Sequence, residues 1–395
     1  MSAISNSVAG FVAPMREAVD KNAWLRRGLV VLLFAVLIIF PLLLPETDSK
    51  VDVATTALAY VVMALGLNIV VGFAGLLDLG YVAFYALGAL TIGWLGSAFA
   101  FNANNGKGIH IGVSGALSKT PGIHLNFLLI LVAAAIVCAI AGMLIGLPTL
   151  RLRGDYIAIV TLAFGEIVYR FALNGDEIKF GKQQLTNGSQ GITPIDGVKL
   201  PFADPFNQLN LRPWYWTILG LVVVVLFVNF RLRDSRLGRA WVAIREDEVA
   251  AASMGVPLVK TKLMAYATGA AFGGMSGAFL ASYTNTVNAD QFQFAFSIFI
   301  LAMIILGGLG SIWGVVLGAV LLQLVNRYLI PDVLNDKAQS WFNFDLTQLS
   351  FSIFGFILVL VMLIRPEGLL PERRRKMELR EGVGAGETEL IEVRA

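Results

Sequence analysis

Long runs of apolar residues alternate with short polar segments along most of the chain. A helix that crosses a bilayer needs roughly 20 mainly apolar residues, and ten of the runs reach or come near that length. The pattern therefore predicts an all-α fold, a polytopic membrane bundle of about ten transmembrane helices. The predicted spans are residues 29–44, 53–71, 77–99, 125–147, 156–173, 214–230, 263–283, 292–306, 312–330 and 349–364.

The segment 231–262 interrupts this pattern with seven Lys/Arg and four Asp/Glu between two apolar runs. Its middle favours a helix, because apolar residues recur among the charges, Gly255 stands where a C-terminal capping glycine belongs, and Pro257 follows. A short charged helix between two spans is a surface that a protein outside the membrane can grip.

The basic residues predict the orientation of the bundle, because cytoplasmic segments of membrane proteins carry an excess of Lys and Arg. Most of the 30 Lys/Arg fall in cytoplasmic segments when both termini are placed in the cytoplasm. The predicted divisions are a cytoplasmic N-terminal segment (1–27), a membrane domain (28–364) with a cytoplasmic loop (231–262) and external loops (100–124 and 174–212), and a basic, partly disordered cytoplasmic tail (365–395).

Composition excludes several function classes. The chain is 57% hydrophobic and 14% charged, with a mean hydropathy of +0.74. This charged fraction is well below that of a typical soluble domain. A single cysteine permits no disulfide within the chain, and two histidines without nearby cysteine or acidic ligands predict no metal site. No P-loop motif occurs. The sequence therefore predicts a transport bundle without cofactor or nucleic-acid partner, whose source of energy lies on another subunit.

Two sets of glycines recur at every fourth residue, a spacing that lets helix backbones approach closely in a membrane. They predict packing faces on two spans. The sets are Gly269, Gly273 and Gly277, and Gly310, Gly314 and Gly318.

Polar groups and a glycine-rich break at membrane depth leave two interpretations open. They border a polar pathway, or they pair locally and orient helices. For Asp78 a position at the membrane surface or a helix cap is favoured, and Glu166 lies one turn before Arg170. The candidate pathway residues are Asn68, Gly72, Gly75, Asp78, Tyr85, Thr161 and Glu166.

Five stretches resemble one protein family. They are VDVATTALAY and its continuation (51–90), LPTLRLRGDY and its continuation (147–170), LGRAWVAIREDEVAAASMGV (237–256), FSIFILAMII and its continuation (296–322) and RPEGLLP (365–371). Together they resemble the permease subunit of bacterial ABC importers for branched-chain amino acids, specifically the longer of the two permeases in the high-affinity system. The resemblance implies a type II ABC importer permease fold.

The resemblance also implies partners: a second homologous permease in a heterodimer, two ABC ATPases in the cytoplasm and a periplasmic binding protein, all at the bacterial cytoplasmic (inner) membrane. It implies that 231–262 holds a coupling helix with an acidic-Ala-Ala…Gly signature, although Val249 intervenes here and makes the match loose. The implied coupling residues are Arg245, Glu246, Asp247, Glu248, Ala250, Ala251 and Gly255.

Alternatives stay open at this point. The external stretch 179–192 departs from the Gly-Pro-Asn-Gly-rich turn usual in the family, and urea importers use closely similar permeases. A channel or secondary transporter that works without an ATPase is a further alternative. Under the importer interpretation, we expect Glu248→Lys to uncouple transport while the fold stays intact.

Overall fold

The computed structural model describes residues 34–101, 103–113, 120–149, 156–181, 183–198, 206 and 210–334, with single positions between 352 and 370. Within these residues the chain is mostly helical. Ten helices are numbered here: α1 (Ser49–Leu67), α2 (Val82–Leu95), α3 (Phe127–Thr149), α4 (Tyr156–Leu173), α5 (Arg212–Asp234), α6 (Arg236–Glu246), α7 (Glu248–Ser253), α8 (Leu258–Thr284), α9 (Phe294–Gly307) and α10 (Ile312–Leu324). A π-helical segment extends α1 through Asn68–Phe73, and another extends α10 through Val325–Leu334.

The predicted spans between residues 53 and 330 each coincide with a helix. Of the described helices, six are long and apolar enough to cross a membrane, and α2 and α9 are apolar but shorter. Helix α2 begins at Val82 rather than at residue 77, because residues 74–81 form a non-helical turn. The predicted first span is helical over residues 34–39, and the tenth falls largely outside the described residues.

Short strands are present that the all-α prediction lacks. Strand β3 (Ile123–Leu125) pairs with β1 (Gly96–Ser97) antiparallel and with β2 (Ile109–Ile111) parallel. Strands β4 (Lys179–Phe180) and β5 (Gln183–Gln184) form an antiparallel pair. Strands of two or three residues are too short to show an alternating apolar pattern. Both predicted external loops therefore contain regular structure.

Helices α1 and α8 form the centre of the bundle. In their most apolar windows 89% of α1 and 72% of α8 is buried within the protein, against 22% of α3. Helix α8 packs against α1, α2 and α3. The outer helices therefore present their apolar side chains outward, as lipid-facing helices do.

Glycines make these close contacts possible. A Cβ atom on Gly269 would lie 2.8 Å from the carbonyl oxygen of Gly66 in α1, and one on Gly277 would overlap the carbonyl oxygen of Tyr85 in α2. The face predicted on α8 is thus a packing face against two helices.

The second glycine set is only partly as predicted. Gly314 and Gly318 pack against the backbone of α9, where a Cβ on either would overlap a carbonyl oxygen. Gly310 precedes α10, in the turn after α9, with φ +83°. Its assignment to a helix face was wrong: a positive φ, which glycine adopts without strain, lets the chain reverse there.

The two ends of the bundle differ in secondary structure. Helix α8 begins next to α7 and ends at Thr284, close to Val287, whose backbone pairs with that of Ile192. The strands lie at this second end, called the sheet end, and α6 and α7 lie at the other, called the α7 end.

We predict that Gly277→Ala lowers the stability of the protein by about 1–3 kcal/mol, because the added methyl group overlaps the backbone of α2. The measurement is the thermal unfolding midpoint of the detergent-purified protein. The matched control is Gly220→Ala in α5, where a Cβ meets nothing within 4 Å. Equal midpoints for the two variants would contradict the packing role of Gly277.

Candidate functional site

Helix α7 is a separate short helix with defined caps at both ends. Asp247 accepts hydrogen bonds through Oδ1 from the backbone N–H groups of Val249 (2.8 Å) and Ala250 (3.0 Å), which satisfies N–H groups at the start of the helix. Gly255 follows the helix with φ +84°, as predicted for a glycine at this position.

The two alanines of the implied coupling signature differ in exposure. Ala250 is exposed, but Ala251 is 4% exposed and packs inward. Two large apolar side chains are strongly exposed here, Val249 (72% exposed) and Met254 (85% exposed). These two apolar side chains, together with exposed Ala250, are called the α7 surface below.

An ion pair ties α7 to the central helix α8. The Lys262 ammonium lies 2.7 Å from Glu248 Oε1, and its side chain is 5% exposed while that of Glu248 is 44% exposed. A buried ammonium needs a partner charge. This geometry leads us to expect that Glu248→Lys also disturbs the fold, because that change would place two positive charges together.

Helix α6 is tied to both central helices. Arg245 donates through Nη1 to the Gly72 carbonyl oxygen at 2.7 Å, and its side chain lies against Gly75 in the turn that follows α1. Trp241, fully buried, donates through Nε1 to the Thr261 carbonyl oxygen of α8 at 2.8 Å. Gly72 and Gly75, predicted to line a pathway, therefore contact the predicted coupling segment.

Asn68 has a structural contact at the same end. It is fully buried, and its Oδ1 accepts a hydrogen bond from the Gly310 N–H at 3.0 Å. This contact joins the π-helical segment after α1 to the turn before α10. It supports the interpretation of Asn68 as a group that orients helices.

Asp78 is buried within the protein, with 2% exposure. Its Oδ1 accepts a hydrogen bond from the Gly80 N–H at 2.9 Å, just before α2, and its Oδ2 has no partner within the described part of the chain. Thr161 of α4 accepts a hydrogen bond through Oγ1 from the Leu79 N–H at 3.0 Å. Asp78 and Thr161 thus fix the turn 74–81 against α4.

Glu166 pairs with Arg170, whose Nε lies 2.9 Å from Glu166 Oε1. Both side chains are substantially exposed, at 42% and 62%. Glu166 is therefore apart from the other candidate pathway residues, and local pairing is the interpretation that the geometry favours.

A cavity of about 580 Å³ opens at the sheet end and is called the vestibule. The residues that define it here are Asp52, Thr56, Tyr60, Tyr85, Gln323 and Arg327. Its volume falls in the range usual for small-molecule sites. Only Tyr85 among these six was a candidate pathway residue, so the sequence analysis missed most of the vestibule.

The vestibule has a charged rim. Arg327 donates through Nε and Nη2 to Asp52 Oδ2 at 3.0 and 2.9 Å, and Tyr283 donates its hydroxyl to Asp52 Oδ1 at 2.6 Å. A sequence signal existed, because Arg327 is a charged residue within a predicted span, a recognised marker of functional sites.

The loops at the sheet end are held together by polar contacts. His124 Nδ1 of β3 lies 2.7 Å from Asp196 Oδ2, and both side chains are largely buried. Burial raises the pKa of Asp196, and the hydrogen bond with His124 opposes that rise. The unusual stretch 179–192 contains β4 and β5, and Trp94 donates through Nε1 to the Leu185 carbonyl oxygen at 2.8 Å.

A family model described as the permease component of branched-chain amino acid transport systems matches residues 49–364. The chain belongs to this family. It is 36% identical to the high-affinity branched-chain amino acid transport system permease protein LivM of Salmonella typhimurium, over 95% of this chain and 82% of that protein. Identity to LivM of Escherichia coli is also 36%, over 96% of this chain and 83% of that protein.

The LivH permease of Salmonella typhimurium is a weaker relative, 24% identical over 47% of this chain and 58% of LivH. No solved structure is significantly similar to the chain. With six described helices long and apolar enough to cross a membrane, this permease is a multi-pass membrane protein. Permease components are transport subunits rather than enzymes.

We predict that Glu248→Gln destabilises the permease by about 1–3 kcal/mol, because it leaves the buried Lys262 ammonium without its counter-charge. The double variant Glu248→Gln/Lys262→Met should recover most of the loss, since both charges are then absent. Thermal unfolding of the purified protein measures both.

The control is Asp234→Asn, which removes the partner of Arg233 in an exposed ion pair of the same segment. Exposed pairs contribute about 0–1 kcal/mol. The interpretation fails if Glu248→Gln and Asp234→Asn unfold at the same temperature.

Proposed function

We propose that this chain is the membrane-spanning permease subunit of an ATP-driven ABC importer, and that it carries branched-chain amino acids (Leu, Ile, Val) into the cytoplasm. The observation that carries the proposal is the link between the two ends of the bundle. Helices α1 and α8 contact α6 and α7 at one end and border the vestibule at the other.

The orientation follows from the basic residues. Both termini lie in the cytoplasm, with about ten spans between them, and segments 1–27 and 365–395 are cytoplasmic. The α7 end then faces the cytoplasm of a bacterial cell, and the sheet end and vestibule face outward across its cytoplasmic (inner) membrane.

The importer needs partners on both sides of the membrane. Two ABC ATPases supply the energy, because the chain has no P-loop of its own. They bind at the α7 end. A second, homologous permease completes the membrane part, a proposal supported by the resemblance of this chain to both LivM and LivH. A periplasmic binding protein docks on the ordered loops of the sheet end.

Coupling starts at the α7 surface. Val249 and Met254 are apolar, exposed and held on a capped helix, so they fit a cleft in an ATPase. Movement of α7 is passed to α8 through Glu248 and Lys262, and movement of α6 to α1 through Arg245. Asp247 and Gly255 fix the shape of α7, Ala250 lies on its exposed side, and Glu246 is an exposed residue at the end of α6.

ATP binding by the partners then shifts the population between two arrangements of the packed helices. The glycine contacts of α8 with α1 and α2 let these helices move as rigid bodies. The vestibule is the outward-facing half of the path that this shift opens and closes.

The test is uptake by the reconstituted complex of this chain with its second permease, ATPases and binding protein. ATP-dependent accumulation of L-leucine that exceeds that of urea supports the proposal. Accumulation of urea instead favours a urea importer, and uptake by this chain alone favours a channel or secondary transporter.

We predict that the double variant Val249→Glu/Met254→Glu lowers ATPase co-purification and ATP-driven uptake by about thirtyfold, the loss expected for a central contact of about 2 kcal/mol. The physical reason is that two carboxylates replace the apolar contacts of the α7 surface. Ile111→Glu, at an exposed apolar position of the sheet end, is the control and should leave ATPase co-purification unchanged. Normal co-purification of the double variant would rule out the α7 surface as the contact.

A further inference from the structure

The vestibule presents two opposite charges to one cavity. Asp52 lies at the start of α1 and Arg327 in the π-helical extension of α10, and each side chain is partly exposed, at 24% and 53%. They are paired with each other across the rim at 2.9 Å. A solute that carries both a positive and a negative charge can separate this pair and bind to both side chains. Asp52 and Arg327 then each keep a partner of opposite charge.

An unpartnered acceptor lies deeper on the same wall. Gln323 is 3% exposed and donates through Nε2 to Thr56 Oγ1 at 3.3 Å, while its Oε1 has no hydrogen-bond partner among the residues that the structure describes. A buried amide oxygen without a donor is costly. Its place beside the cavity is suited to a ligand N–H group.

Another part of the vestibule is aromatic, beginning with Tyr60, one turn beyond Thr56 on α1. The ring of Phe296 lies 5.6 Å from that of Tyr60 and 5.1 Å from that of Tyr85, measured between centroids. Such a cluster favours an apolar group. The cavity therefore combines a charged pair, one buried acceptor and an apolar wall.

We propose that the vestibule is a binding site for a free zwitterionic amino acid with an apolar side chain. The ligand carboxylate pairs with Arg327. The ammonium group pairs with Asp52 and donates to Gln323 Oε1, and the side chain packs against Tyr60, Tyr85 and Phe296. The inference rests on the proposed function in one respect, the choice of an amino acid as cargo.

The chemistry of the site discriminates among solutes. Urea carries no charge, so it would have to separate Asp52 from Arg327 without replacing either partner. An amino acid with a side-chain carboxylate would place that negative charge against the faces of aromatic rings, which is unfavourable. The permease would thus add selectivity of its own to that of a binding protein.

The test is protection of an introduced thiol. The native Cys138 is fully buried, so Thr284→Cys, at an exposed position of the vestibule, supplies the reactive thiol. The complete importer without its binding protein is labelled with a small impermeant maleimide. Gln291→Cys is a second reporter in the same cavity for the case that the first variant folds poorly.

We expect L-leucine to slow labelling by about tenfold at ten times its Kd, because occupancy leaves about a tenth of the sites open. Urea at the same concentration should not slow it. Arg327→Gln and Gln323→Leu should each raise the half-protecting leucine concentration by about tenfold or more, and Arg327→Lys should recover part of the loss. Arg170→Gln, an exposed arginine outside the vestibule, is the matched control and should change nothing.

Equal labelling with and without leucine at millimolar concentrations for both reporters would overturn the site. So would protection that survives Arg327→Gln and Gln323→Leu unchanged. This readout needs no ATP, so it is separate from the uptake test. Uptake without protection would support the proposed function and rule out the site. Protection without uptake would support the site and count against the proposed function.

Discussion

The structure depends on the close crossing of its two central helices, α1 and α8. Gly66 and Gly269 meet backbone to backbone there, because neither carries a side chain. Hydrogen bonds hold the contact: Ser276 donates to the Ala59 carbonyl oxygen at 2.7 Å, and Tyr81 donates to the Gly269 carbonyl oxygen at 2.7 Å. In a bilayer, where no hydrophobic effect drives helices together, such packing and hydrogen bonds provide the association.

The two helices that cross here connect the two ends of the bundle. The α7 end reaches α1 through Arg245 and α8 through Lys262, and at the sheet end the same two helices meet again through Asp52 and Tyr283. Two buried helices thus run from the proposed ATPase contact to the proposed amino-acid site. A helix is stiff along its axis, so a displacement at one end has a direct route to the other.

The sequence predicted what depends on local pattern. Apolar runs located the helices, including α4 at the predicted residues, and Gly255 ended α7 as its position indicated. Local sequence pattern does not predict contacts between segments that are far apart in the chain. Asp52 and Arg327 are 275 residues apart, so no spacing rule pairs them. The regular spacing of Gly310 likewise suggested a helix face, whereas its backbone serves a turn.

The most direct test of the link between the ends is the reactivity of the vestibule thiol in Thr284→Cys, measured in the complete importer with and without ATP trapped on the ATPases. Our account predicts that trapping changes the labelling rate. It also predicts that the double variant Arg245→Ala/Lys262→Met, which removes both contacts at the α7 end, loses this change while the ATPases stay bound. An unchanged response in that variant would contradict transmission through α1 and α8.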